Sequence, residues 1–227
     1  IVDIYSNQII SSNLRMSNAT DNDIENLKKL NSEFLNNCTP ISVKTHASES
    51  WIGAPASRFS RYNGSSWRNE KSVCGPIAAA IMFAYFDDYV RFDVIPDNVR
   101  KQNSSSPGTL ITKMVAETPL ATTTVPSTLA TGIWGFIQKY SPNKSIKATS
   151  MSTNPFSTVK NSCNSSRPIC VGLLDSLGSS YKNHWVTAYQ YKETGVFVGY
   201  YKCIDNWGNY NKEITSSWAM GAVSIGY

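Results

Sequence analysis

The stretch Ser72-Val-Cys-Gly-Pro-Ile-Ala-Ala-Ala-Ile-Met-Phe-Ala-Tyr-Phe86 decides how the chain is read. Its apolar run has no polar face, so it predicts a helix from Gly75 to about Tyr89 that is buried on most sides. Pro76 suits the first helical turn, where its missing N–H costs nothing. Cys74 therefore sits at a helix start, where unsatisfied amides and roughly half a positive charge favour thiolate over thiol. Gly75 would let a substrate carbonyl approach closely, and the Cys74 amide would serve as an oxyanion donor. A structural cysteine at a helix entry fits the same local pattern. Asp87-Asp88, which ends the apolar run, is better explained by a solvated helix end than by a catalytic carboxylate pair.

A thiol nucleophile needs a base, and the chain has two histidines, His46 and His184. His46 lies in an irregular polar leader, whereas His184 opens the alternating segment Asn183-His-Trp-Val-Thr-Ala-Tyr-Gln-Tyr191, which predicts a strand. Asp205 follows 21 positions later (205 − 184), at the end of the next predicted strand, Gly195-Val-Phe-Val-Gly-Tyr-Tyr-Lys-Cys-Ile204. A hairpin would bring the two together, with Asp205 orienting the imidazole and supporting its charged form. Trp207 is expected to pack over that pair, and Trp185 to wall the strand beside His184.

Further strands are expected at Arg167-Pro-Ile-Cys-Val-Gly-Leu173 and Ala222-Val-Ser-Ile225, and helices at about 108–118, 126–140 and 154–163. Helices followed by an antiparallel meander make the class α+β. Residues 1–50 are polar and rich in Asn and Ser. Asn22 and Glu25 have capping-box spacing, and Ile24, Leu27, Leu30 and Phe34 make one apolar stripe. This predicts an extension with one helix, docked on a body of residues 51–227 or left from a pro-segment.

The 227 residues include Lys+Arg 21 and Asp+Glu 16, a net charge of +5 with no run of like charges, which gives no support to nucleic-acid binding. Charged residues are 16% against about 25% in typical domains, a polar balance common in secreted proteins. No apolar stretch approaches the roughly 20 residues of a membrane helix. Five cysteines (Cys38, Cys74, Cys163, Cys170 and Cys203) leave at least one thiol outside any intrachain pairing. Cys163 and Cys170 are near enough in sequence to pair, although Cys170 reads as an inward strand residue. Cys38 and Cys203 read as buried thiols. No Cys/His cluster suggests zinc, so neither metal nor cofactor is expected.

Taken in order, Cys74-Gly-Pro-Ile-Ala-Ala-Ala, Arg167-Pro-Ile-Cys-Val-Gly-Leu173, Asn183-His-Trp-Val and Ile204-Asp-Asn-Trp-Gly208 resemble the papain-like cysteine peptidases, in particular the bacterial peptidases related to the double-glycine leader peptidases of bacteriocin export. The resemblance covers about residues 60–208. It implies a papain-like fold, with the nucleophile helix packed against a C-terminal antiparallel sheet. It also implies a Cys74–His184–Asp205 triad, a polypeptide substrate or inhibitor as partner, and a secreted or cell-surface bacterial setting. The family usually carries a Gln about six residues before the cysteine as a side-chain oxyanion donor. Position 68 is Arg, so Asn69 becomes the candidate donor, with Asn63 behind it. Hydrolysis of peptide or isopeptide bonds is the leading expectation. Amidase or acyl-transfer chemistry on the same fold, and a binding domain with a vestigial site, are the alternatives.

Overall fold

The computed structural model describes residues 50–122 and 124–227. The helix expected at 22–34, together with Cys38 and His46, lies outside the described residues. The predicted buried helix is α1, Cys74–Tyr85, and every residue from Gly75 to Tyr85 is buried. It continues into a π-helical turn, Phe86–Val90. Three further helices follow: α2 (Leu110–Glu117), α3 (Pro126–Lys139) and α4 (Phe156–Asn164). Each matches a sequence expectation to within a few residues, and Pro126 opens α3 at the position where proline costs no hydrogen bond.

The strands are β1 (Ile52–Gly53), β2 (Lys147–Met151), β3 (Ile169–Leu173), β4 (His184–Gly195), β5 (Val198–Ile204), β6 (Lys212–Thr215) and β7 (Ala219–Gly226). They form one antiparallel sheet of order β2-β7-β3-β4-β5-β6, with β1 pairing β4 beyond the end of β3. The expected meander holds from β3 to β5, and β6, not expected from the sequence, continues it. β7 then crosses back to lie between β2 and β3, which the linear pattern did not convey. The class is α+β, helix with antiparallel sheet.

The pleat divides the core in two. Cys170, Trp185 and Tyr189 face α1, with α2 and α3 packed on α1 from its other side. Val171, Val186 and Ala188 face α4, with Phe156, Val159 and Cys163. Thr187 lies on the α1 side, and its hydroxyl caps an α1 carbonyl, Thr187 Oγ1 donating to Ala78 O at 2.9 Å. The β4–β5 register shifts between Ala188 and Gln190, and that extra residue turns Tyr191 to the α4 face after Tyr189 on the other. α1 is thus covered by strands on one side and helices on the other. This is why its sequence has no polar stripe.

The irregular aromatic segment 51–71 docks by its rings. Phe59 lies between Tyr85 and Tyr189, at centroid distances of 4.8 and 4.0 Å. Asp87 and Asp88 are not a solvated helix end; both are buried, which corrects the sequence expectation. Asp88 accepts a two-pronged pair of bonds from Arg100 (2.9 and 2.8 Å), one from the Tyr62 hydroxyl (2.7 Å) and one from the Asn103 amide (2.6 Å). Asp87 accepts from the amides of Val94 and Ile95. Burial is affordable because each carboxylate has partners. Cys163, Cys170 and Cys203 are buried free thiols, so Cys163 and Cys170 do not pair. Among the described residues no helix is long and apolar enough to cross a membrane.

Candidate active site

Cys74 is the first residue of α1. Its N-cap, Val73, has no side chain that can cap, and Asn69 supplies the missing acceptor: its Oδ1 takes the Val73 N–H at 2.7 Å. The backbone amides of Trp185, Gly75 and Cys74 itself favour thiolate, but burial outweighs them and holds the Cys74 thiol above its usual value. Pro76 has no amide to add, and the Ile77 amide is spent on the Val73 carbonyl at 3.1 Å. A Cβ on Gly75 would overlap the Thr124 hydroxyl, so packing against Thr124 also calls for glycine here. Thr124 is pinned by Trp185 Nε1 donating to its carbonyl at 3.0 Å.

His184 opens β4 and is buried, 2% exposed. Its Nε2 lies 2.8 Å from the main-chain oxygen of Asp205. A carbonyl can only accept, so Nε2 carries the proton, and the neutral ring keeps its lone pair on Nδ1. Burial lowers the tendency of this ring to charge, while the bond to Asp205 and the nearby carboxylate oppose that shift. Burial thus works against the charged form of both groups. Trp207, half exposed, lies with its ring centroid 4.4 Å from the imidazole. Tyr181 stacks on the imidazole at 5.5 Å and 11°. The expectation that Trp207 covers the histidine therefore holds. Trp185, by contrast, points to the other face and fills the α1 core.

The hairpin brings Asp205 to His184 as expected, but by its backbone and not by its side chain. The carboxylate is spent elsewhere. Oδ1 accepts the amides of Trp207 and Asn209, both at 2.9 Å; Oδ2 accepts the Tyr181 hydroxyl at 3.0 Å and Asn209 Nδ2 at 3.3 Å. Asp205 builds the 205–209 turn that presents its own carbonyl to the imidazole. Tyr181, missed in the sequence, links the two, stacking on the ring and tying the carboxylate.

Asn206 is a second residue that motif reading passed over. It is 2% exposed, with φ of 47°, in the left-handed region that asparagine tolerates. Its Nδ2 donates to Trp185 O at 2.9 Å and approaches Cys74 O at 3.5 Å, while its own carbonyl accepts the Asn69 amide at 2.8 Å. One residue thus ties together the nucleophile, the base strand and the turn before α1. Of the oxyanion candidates, Asn69 has its Oδ1 engaged and its NH2 left to donate. Asn63 is removed from that role, since its Nδ2 donates to Gly208 O at 2.9 Å.

The structure therefore brings Cys74, His184, Asp205 and Asn69 to one corner. The hydrogen bond of the imidazole runs to the Asp205 carbonyl and not to the thiol. Nor do the described residues contain a group of three or more His, Cys, Asp or Glu arranged to hold a metal ion. No protein-family model matches the chain, and no curated protein or solved structure is significantly similar to it.

Proposed function

We propose that the protein is a papain-like cysteine peptidase that cleaves peptide or isopeptide bonds, with Cys74 as nucleophile and His184 as general base. One observation carries the reading: a carbonyl acceptor fixes the proton of His184 on Nε2, leaving a basic Nδ1 at the start of a strand that Asn206 ties to Cys74, its Nδ2 reaching both Trp185 O and Cys74 O. A histidine with a merely structural role has no need of that tautomer beside a thiol at a helix start. The helix-on-antiparallel-sheet arrangement and the order Cys, His, Asp support the papain-like assignment, and the low charge content supports a secreted setting.

In this reading the thiol gives up its proton to Nδ1 as Sγ attacks the carbonyl carbon. The oxyanion is met by the Cys74 amide and the Asn69 NH2. Collapse breaks the C–N bond while Nδ1–H protonates the leaving amine, giving a thioester. Water then loses a proton to Nδ1 and attacks the thioester, and the proton returns to sulfur as it departs. The Asp205 carbonyl holds the ring throughout, and no cofactor takes part.

The imidazole bonds the Asp205 carbonyl and makes no hydrogen bond to the thiol, which favours a second reading: a binding domain with a weakened site. Digestion of a peptide library, with product mass analysis, separates the two. Cleavage that is lost in both Cys74→Ala and His184→Ala supports the peptidase. Absence of cleavage, or cleavage that survives Cys74→Ala, overturns it.

A further inference from the structure

Arg68 is exposed, and its guanidinium lies against Gly208 in the turn that holds the imidazole. A Cβ built on Gly208 would stand 3.3–3.4 Å from its Nη2, Cζ and Nε, and Gly208 has φ of 111°. The backbone at Gly208 calls for glycine, and the guanidinium lies in van der Waals reach of it. The chain on either side of Arg68 is anchored. Trp67 is buried with its indole N–H on Ser105 O at 2.7 Å, and the Asn69 amide is bonded to Asn206 O. On the other strand of the contact, Asn63 Nδ2 holds Gly208 O. The neighbour of Gly208 is Trp207, the half-exposed ring 4.4 Å from His184.

Arg68 has no carboxylate partner among the described residues. The carboxylate in the turn, Asp205, is buried and already accepts from Trp207, Asn209 and Tyr181. Glu70, two residues along, forms no ion pair with Arg68; its amide turns back to the Arg68 carbonyl at 3.1 Å. The guanidinium, exposed against the turn that carries Trp207, therefore keeps its N–H donors for a partner, in the fork geometry that matches a carboxylate.

We propose that Arg68 recognises a carboxylate of the polypeptide substrate, either an acidic side chain or a free C-terminus, bound next to the scissile bond. This inference rests on the peptidase reading above, and its test separates the two. Paired peptides differing only in Glu against Gln, and in free against amidated C-termini, are hydrolysed by the wild type, Arg68→Met and Arg68→Glu. In parallel, Cys74 alkylation by iodoacetate is compared with that by iodoacetamide, probes of nearly equal size that differ in charge. In the wild type one carboxylate pair is expected to show a preference of about tenfold in kcat/KM. Which pair shows it identifies the source of the carboxylate. Arg68→Met should abolish that preference and lower the iodoacetate-to-iodoacetamide ratio several-fold, with the iodoacetamide rate retained. Arg68→Glu should favour Lys-containing peptides. Unchanged Glu/Gln and C-terminal discrimination in Arg68→Met, or an unchanged alkylation ratio, overturns the proposal. If no peptide is cleaved, the peptidase reading falls, and the alkylation ratio still decides the role of Arg68.

Discussion

Replacing Asp205 with asparagine leaves its main-chain carbonyl in place, and with it the bond that orients His184. Where a carboxylate itself holds the catalytic imidazole, the equivalent change costs about 10⁴ in kcat, because the wrong tautomer results. Here two effects remain. The two backbone amides on Oδ1 can still be accepted by an amide oxygen, but the Tyr181 hydroxyl and Asn209 Nδ2 lose a charged acceptor at Oδ2. That weakens the turn by about 2 kcal/mol, taking bonds to charged groups at roughly 1.5–3 kcal/mol each and allowing partial replacement. The lost charge also stops supporting the imidazolium. Coulomb's law at roughly 6 Å and an effective dielectric of about 20 puts that support at no more than about 3 kcal/mol. The expected loss in kcat/KM is therefore about 10–100-fold. The carboxylate raises the pKa of His184, so removing it lowers that pKa, and the acid limb of the pH–rate profile should move to lower pH. Steady-state kinetics on a cleaved peptide across pH reads both. A fall of 10⁴ with no shift of the acid limb would refute orientation by the backbone carbonyl.

Asn206→Ala removes the donor to the buried Trp185 carbonyl and puts alanine, which tolerates the left-handed region less well than asparagine, at φ of 47°. An unfolding free-energy loss of roughly 2–4 kcal/mol is expected in urea titration, with Asn206→Gly recovering about 1 kcal/mol of it; no difference between the two would argue against backbone strain. Arg100→Met strands the buried Asp88 carboxylate and should cost about 3–5 kcal/mol, much of it restored by adding Asp88→Asn; a loss below about 1 kcal/mol would contradict the network. Burial pushes Asp87 up to about 6, so between the ordinary carboxylate value and that point the folded chain binds the extra proton. The contribution of Asp87 to stability is then present at low pH and lost as pH rises through about 6. Asp87→Asn should flatten this part of the stability–pH curve, and an unchanged slope from pH 4 to 6.5 would contradict it.

The helix at Cys74 was legible because burial on all sides leaves a run with no polar stripe, and because Pro76 marks its start. His184 was legible from scarcity and from its strand. The place of Asp205 followed from the hairpin, but its manner of action did not, since sequence spacing is the same for a side-chain and a main-chain acceptor. Asp87 and Asp88 were misread because their partners, Tyr62 and Arg100, are remote in sequence and each is ordinary alone. The turn value of Asn206 and the stacking of Tyr181 likewise depend on which loops meet. β2 and β6 escaped detection because β2 is almost wholly exposed, β6 is half exposed, and both are short on apolar residues. The return of β7 to the middle of the sheet depends on tertiary pairing, which a linear pattern of strands does not encode.

The rate of iodoacetamide modification at Cys74 near neutral pH, followed by peptide mapping in the wild type and His184→Ala, tests the central claim most directly. Selectivity over Cys163, Cys170 and Cys203 follows from their burial alone, so the informative quantity is the dependence on His184. With His184 as base, Cys74 modification is expected to slow by tenfold or more in His184→Ala, while the unfolded variants of both proteins react alike. Equal rates at Cys74 with and without the imidazole would contradict the assignment of His184 and Cys74 as a catalytic pair.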